Sequence, residues 1–473
     1  MSDDLNFDME VVNAGSPADS KNGVDEQTPA SGRKEKSTDT EVPSVKLWPS
    51  PPDDWEMVRG SEIYDANPTG YAAEGEVDYI EMDALKTDLP DPKYVGRRDP
   101  SDYSGQMFAE GDTLFAQITP CTENGKAALV PKLQSEVGIG STEFIVLSPD
   151  ETKVLPRYLY YLSKSHPVHN YAVSRMRGST GRQRVPVDVF RQELRIPVPP
   201  LPEQRKIASV LYTVDQAIQK TEAIIEQVKR TKTGISQRLF HSGIEQEETA
   251  DTWLGELPKS WRVVRFSEII ASTRNGLYKE KDAYGSGVPI VKMREMFKGI
   301  NLKVDDKTDR LQLSKDELKK FRIEPGDLLF ARRSLNVEGA GKCTFVNSTC
   351  EDVVFESSII RARLKRKIYP KFYAYYFESP VGSKSMKRIV NTVAASGING
   401  TDLRNLRVPV PDFDEQKRIA EILSAFDQKR RELESEIFRL RQLKKGLMQD
   451  LLTGGVRTAD KAIEVLDEVE AQG

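Results

Sequence analysis

Arg195-Ile-Pro-Val-Pro-Pro-Leu-Pro-Glu203-Gln-Arg-Lys-Ile207-Ala208 is the stretch that decides the fold, because it is written twice. It returns as Arg407-Val-Pro-Val-Pro-Asp-Phe-Asp-Glu415-Gln-Lys-Arg-Ile419-Ala420, at an offset of 212 residues. The match runs without a gap from Glu203 to Leu239 and from Glu415 to Leu451. Thirteen of these 37 aligned positions are identical, too many for chance, so the chain holds two copies of one unit. Working outward, further landmarks pair at similar offsets. Trp55 matches Trp261, and Gly111-Asp112-Thr-Leu-Phe-Ala116 matches Gly326-Asp327-Leu-Leu-Phe-Ala331. Gly125-Lys126 matches Gly341-Lys342, and Pro156-Arg-Tyr158 matches Pro370-Lys-Phe372. Between the landmarks the copies differ widely. The period is far longer than the roughly 20–50 residues of a solenoid repeat, so each unit is a globular domain followed by a helix.

The helix is legible from its apolar spacing. In the first copy Ile207, Leu211, Val214, Ile218, Thr221, Ile225, Val228, Lys232, Ile235 and Leu239 step alternately by four and three. In the second, Ile419, Leu423, Phe426, Arg430, Leu433, Ile437, Leu440, Lys444, Leu447 and Leu451 hold the same register. Such spacing is a coiled-coil seam. Its polar positions (Thr221, Lys232, Arg430, Lys444) leave each helix weak alone, so the two are expected to pair with each other. The plain alternative is that each packs only on its own domain. At about 1.5 Å per residue the matched stretch spans roughly 55 Å. Pro202 belongs in the first turn, Asp414 is the expected cap of the second helix, and Gly243 and Gly455 mark the two ends. Gly234 and Gly446 are matched glycines inside the helices, each costing about 1 kcal/mol relative to alanine.

The globular parts read as mixed. Thr113–Ile118, Phe144–Leu147 and Leu328–Ala331 look like buried strands, and Tyr158–Leu162 and Phe372–Phe377 like helices whose aromatics face a core. The expected fold class is α+β, with two mixed α/β domains in tandem and a long helix after each. The expected divisions are an acidic disordered tail (1–45), a first domain (46–200), its helix (201–242), an acidic linker (243–254), a second domain (255–412), its helix (413–453) and a C-terminal tail (454–473).

Charge makes sense only by region. Residues 1–45 hold 10 acidic and 4 basic side chains, and residues 454–473 hold 5 and 2. The whole chain is −4, so the body between the tails carries +5. A mildly basic body leaves a nucleic-acid partner to be judged from local clusters. No apolar run approaches the ~20 residues of a membrane span, and Met1-Ser-Asp-Asp-Leu-Asn-Phe-Asp-Met-Glu10 lacks the apolar stretch of a secretory signal. Three cysteines and three histidines offer neither a disulfide framework nor a zinc site. A cytoplasmic protein without a bound metal is expected.

Catalytic motifs fail one by one. A phosphate loop would need glycine where Asn336 stands and Ser or Thr where Cys343 stands. Asn67-Pro68-Thr69-Gly70 lacks the second proline and the aromatic of an adenine methyltransferase clamp. Pro149-Asp150-Glu151-Thr-Lys153 has a nuclease's letters without its spacing. Basic loops are present instead. Arg175, Arg177, Arg182 and Arg184 surround two glycines, and Gln183 lies among them. Arginine bonds guanine or phosphate through a planar fork, while Asn and Gln read adenine. Gln117, Thr119 and Lys126 occupy a polar strand-to-loop transition. In the second copy Arg332, Arg333 and Asn336 follow the Leu-Phe-Ala strand, Asn399 lies in a segment aligned with Thr180–Gln183, and Lys342, Lys384, Lys387 and Arg388 add charge. The plain alternative for any one of these is a solvated surface cation.

The order of these parts resembles the specificity subunit of type I restriction–modification enzymes, over about residues 46–453. The most specific elements are Pro197–Ala208 and Pro409–Ala420, each leading into a matched seam. Ile118-Thr-Pro-Cys-Thr-Glu-Asn-Gly-Lys126 also resembles one subclass of that family's target-recognition domains. The acidic tail departs from the usual pattern, in which the first domain starts near the N-terminus. The resemblance implies two target-recognition domains, each reading half of an asymmetric split site in double-stranded DNA. It implies long helices paired as an antiparallel coiled coil in a pseudo-two-fold body. The implied partners are two methyltransferase subunits, using S-adenosylmethionine on adenine, and motor–nuclease subunits using ATP and Mg. The chain itself would be non-catalytic and bind no cofactor. The rival readings are a fused methyltransferase and a coiled-coil adaptor without a DNA role.

Overall fold

A computed structural model describes residues 47–73, 75–179, 181–245, 248–334, 339–349, 351–390 and 396–458. The expected tail 1–45, Thr180, Asn336, Cys350 and residues 459–473 lie outside them. Among the described residues no helix is long and apolar enough to cross a membrane.

The four-three spacing yields two long helices, Leu201–Ser242 and Phe413–Leu452. Pro202 sits in the first turn of one. The second is capped by Asp412, whose carboxylate accepts the Glu415 N–H at 2.8 Å. The expected cap, Asp414, lies inside the first turn, because the helix begins one residue after the extended Asp412. Gly243 closes the first helix with φ +68°; after the second it is Gly454, at φ +74°, and not Gly455 that takes the left-handed turn.

Every apolar seam residue is buried or half-buried. Ile225 clusters with Leu433 and Ile437, with Val228 against them. Val214 and Ile218 cluster with Leu89 and are covered by Leu440 and Leu447. Ile207 and Leu211 enter the first head's core together with Leu451 and Leu452, from the far end of the other helix. Leu239, Ile419 and Leu423 share the second head's core in the same way, with Ile235 packed against it. Each long helix therefore leaves its own head and ends in the other's core. The polar seam positions are partnered. Lys444 Nζ lies 2.6 Å from Asp215, and Lys232 Nζ lies 2.8 Å from Asp427.

The heads repeat one topology. In the first, the strands Tyr64–Ala66, Phe144–Pro149, Thr113–Ala116 and Ala127–Leu129 form an antiparallel sheet in that spatial order. In the second, Ile270–Asn275, Ile359–Leu364, Leu328–Ala331 and Cys343–Phe345 do the same. The central strands are buried on both faces, which accounts for their unbroken apolar runs. Gly111 (φ +86°) and Gly326 (φ +95°) make the turn before them. Asp112 and Asp327 brace that turn, accepting the N–H of Ala109 and of Glu324, each at 2.8 Å. Each head carries a second, smaller sheet with one parallel pairing, Val77–Ile80 with Gly138–Gly140 and Tyr284–Val291 with Val354–Phe355. The helices Pro156–Ser163 and Pro370–Glu378 bury their tyrosines, so those aromatics are core.

The Glu-Gln pair of the repeat joins head to helix. Glu203 accepts the Trp55 indole N–H at 3.1 Å, and Glu415 accepts that of Trp261 at 2.8 Å. Gln204 accepts the Leu155 N–H and donates to the carbonyls of Lys153 and Pro199. Gln416 accepts the Tyr369 N–H and donates to the Pro411 carbonyl. These buried amides satisfy backbone groups that would otherwise be orphaned where the next helix starts. The acidic stretch 243–254 is more than a connector, since Thr249–Thr252 pairs antiparallel with Gly255–Pro258 across a turn at Gly255 (φ +101°).

Candidate nucleic-acid interface

In the first head the chain stays extended beyond Ala116 and gains a second edge. Thr119 N–H donates to the Gln183 carbonyl at 3.0 Å, and Val185 N–H donates to the Gln117 carbonyl at 2.8 Å. Arg177 and Arg184 exchange both backbone hydrogen bonds at 2.9 Å. Two segments some sixty residues apart in sequence thus become one sheet edge carrying Gln117, Thr119, Gln183, Arg184 and Arg177. Gly178 (φ +128°) turns the hairpin, and a Cβ there would stand 2.8 Å from the Arg182 carbonyl oxygen, so no other residue fits.

The side chains on this edge are not equivalent. Arg184 makes a two-pronged pair with Glu143 (2.8 and 2.5 Å), which holds its pKa above the ordinary arginine value. Arg175 grips Glu193 (2.7 and 2.9 Å), and that guanidinium holds the Glu193 carboxyl below the usual range. Both sit as braces, whereas Arg177 and Arg182 are exposed with no ion pair to a described residue. Gln117 donates to the Thr142 carbonyl at 3.1 Å, and Thr119 to Glu123 at 2.8 Å. Lys126 stands at the far side of the 119–126 turn, with its amine 3.3 Å from the Met82 carbonyl.

The second head builds the same edge from different residues. Arg333 pairs with Gly397 and Ser334 with Ser396, and Ile398 N–H donates to the Arg332 carbonyl at 2.9 Å. Gly397 and Ile398 therefore occupy the places of Arg184 and Val185. This shifts the segment that holds Asn399 past its expected alignment with Thr180–Gln183: Asn399 falls one residue past the edge and caps the helix Gly400–Asn405, accepting the Asp402 N–H at 2.8 Å. Arg332 donates to the Ser357 carbonyl at 3.3 Å, and Arg333 is exposed. Lys342 and Lys387 line a small cavity, and burial lowers the Lys342 pKa. Lys384 is exposed on the helix Pro380–Lys387.

Two features were not legible in the sequence. Arg388 lies 4.7 Å from the ring centroid of Trp253, and Arg407 lies 5.6 Å from it, so a half-exposed indole carries two guanidinium groups. Tyr278, 71% exposed, lines a cavity of about 860 Å³ whose charged groups are mixed, Lys279, Lys281 and Lys307 with Glu280, Asp306 and Asp309. Around Tyr278 the adjacent Lys279 and Lys281 were the available signal; the arginines at Trp253 are distant in sequence and gave none.

Two heads that present matched edges with different side chains, held on shared helices, define a tandem two-domain protein. The family model described as "Type I restriction modification DNA specificity domain" matches twice, over residues 52–230 and 258–439. The chain belongs to that family. It is 26% identical over 432 residues to a putative type I restriction enzyme specificity subunit, MjaX, of Methanocaldococcus jannaschii, covering 86% of this chain and 94% of the relative. It is 26% identical over 270 residues to the EcoKI specificity subunit of Escherichia coli K12, covering 55% and 57%. Among solved structures, a chain from work on complex assembly and conformational transition of the type I R-M system matches with TM-score 0.56 at 19% identity, covering 86% of this chain and 100% of that one. The type I S subunit of M. genitalium matches with TM-score 0.52 at 15% identity, covering 84% and 96%. These structural likenesses concern the fold alone.

Proposed function

We propose that the chain is the sequence-reading subunit of a type I restriction–modification complex, with each head reading one half of an asymmetric, bipartite site in double-stranded DNA. The observation that carries this is the edge built twice on one backbone plan with different side chains. Equal frames position the two readers alike, and unequal side chains give the half-sites different sequences. In the first head Arg177 and Arg182 are the free forks, with Gln117 and Gln183 beside them; in the second, the exposed fork is Arg333, at the edge position that Ile118 holds in the first.

The long helices act as an antiparallel coiled coil about a pseudo-two-fold axis. Contacts of early residues in each helix with late residues in the other support this. At about 1.5 Å per residue the longer helix spans roughly 60 Å, enough to set heads on major-groove faces separated by a helical turn of about 34–36 Å. Two methyltransferase subunits using S-adenosylmethionine on adenine, and motor–nuclease subunits using ATP and Mg, would be the partners. This chain would work in the cytoplasm without catalysing a step or binding a cofactor itself.

The test is a genome-wide map of methylated adenines with and without the gene, together with Arg177→Ala plus Arg182→Ala. Deleting the gene should erase one split motif. The double variant should relax or lose one half-site while the other stays readable, each lost fork costing about 1–3 kcal/mol of discrimination. A map unchanged by deletion defeats the reading, and a double variant with unaltered motif removes those arginines from it. A salt-sensitive, sequence-dependent gel shift separates it from an adaptor without a DNA role.

A further inference from the structure

The lysines that interrupt each seam belong to a cluster that occurs twice. Lys444, 8% exposed at its side chain, pairs with the fully buried Asp215 at 2.6 Å, and Asp215 accepts the Tyr161 hydroxyl at 2.6 Å. Lys232 pairs with the buried Asp427 at 2.8 Å, and Asp427 accepts the Tyr375 hydroxyl at 2.8 Å. Each lysine also lies over the ring of that tyrosine, at 5.6 and 5.1 Å from the centroid. Each reaches one further group on the same head: Lys444 donates to the Asp88 carbonyl, and Lys232 pairs with Glu378 at 2.8 Å.

The three residues of a cluster come from three different elements. The tyrosine is on the head's first aromatic helix, the aspartate on the long helix leaving that head, and the lysine on the long helix arriving from the other head. A buried ion pair contributes little net stability, because desolvation offsets its attraction, but its loss on misalignment is costly. Its best-attested use is to specify register. An apolar seam alone tolerates sliding and rotation that these paired charges forbid.

We propose that the two Lys–Asp–Tyr clusters are positioning groups that fix the separation and orientation of the heads, and through them the length of the unread DNA gap. This rests on the sequence-reading function proposed above.

The test uses the full chain in two settings. One variant carries Tyr161→Phe with Tyr375→Phe, which removes only hydroxyls; the other carries Lys232→Met and Lys444→Met together with Asp215→Asn and Asp427→Asn, which removes both charges of each pair and leaves each tyrosine hydroxyl an acceptor. In cells with the partner subunits, adenine methylation is mapped at sites whose gap is one base pair longer or shorter than normal. The ratio of wrong-gap to right-gap methylation should rise roughly tenfold, with Tm unchanged or raised in the methionine variant. In the purified chain, the distance distribution between spin labels on Ser101→Cys and Lys281→Cys should broaden in both variants. A wrong-gap ratio and a distance distribution both equal to those of the unaltered chain overturn the proposal. So does a methionine variant that fails to fold, since the clusters would then supply stability rather than placement. If the unaltered chain directs no split motif at all, the sequence-reading function falls, and the label distances still judge whether the clusters hold the heads in place.

Discussion

At the foot of the two heads the copies repeat the same core contacts; at the candidate recognition edges they share only a backbone. Trp55–Glu203 and Trp261–Glu415 are the same hydrogen bond, as are Tyr161–Asp215 and Tyr375–Asp427. On the edges, Gln117 stands where Arg332 stands, and Arg184 where Gly397 stands. A junction meets the same partner in both copies, a helix end and its orphaned backbone groups, so one chemical solution serves twice. On an edge only some side chains are held from within, as Glu143 holds Arg184, while Arg177, Arg182 and Arg333 are exposed, so divergence there leaves the fold intact.

That contrast is open to direct attack. The largest effect should come from Gln204→Ala and Gln416→Ala, each leaving buried backbone groups without partners at a cost of about 3–4 kcal/mol. Denaturant midpoints should fall by similar amounts for the two; a large loss in one and none in the other would break the equivalence of the junctions. Next is the Gly-Asp turn, where the backbone is shared but the surroundings differ. Asp327 meets the Arg363 guanidinium at 2.8 and 2.9 Å, whereas burial pushes the Asp112 carboxyl up to about 6. Unfolded, that carboxyl titrates near 4. The folded state therefore holds the extra proton between these values, and stability falls as pH rises from about 4 to about 6. Asp112→Asn should remove up to about 3 kcal/mol of this pH dependence, read as the slope of Tm against pH. The smallest effect should come from Gly234→Ala and Gly446→Ala. A Cβ at either site meets nothing within 4 Å, so each substitution should stabilise the isolated chain by about 1 kcal/mol, measured by thermal unfolding.

Much of the scaffold was legible because its signals are local. The four-three spacing from Ile207 to Leu239 reports a helix through its own neighbours, and the Gly-Asp turn before Leu114-Phe115 announces a buried strand. The site was legible only in part. Gln117 and Arg184 stood out as polar and basic residues, but nothing near them in sequence said that they share an edge, or that Glu143 holds Arg184. The segment holding Asn399 aligned with Thr180–Gln183 by sequence, while the register of the strand pairing moved Asn399 into a helix cap.

By itself the sequence determined that the chain is a duplicated unit with two long amphipathic helices, since repeat and periodicity are properties of neighbours along the chain. Only the tertiary structure decided where Lys232 and Lys444 go. Read along the helix they are faults in a seam; folded, each lies beside an aspartate about two hundred residues away. A charge is tolerable in a core only when its partner is delivered in three dimensions, and no local pattern records that delivery.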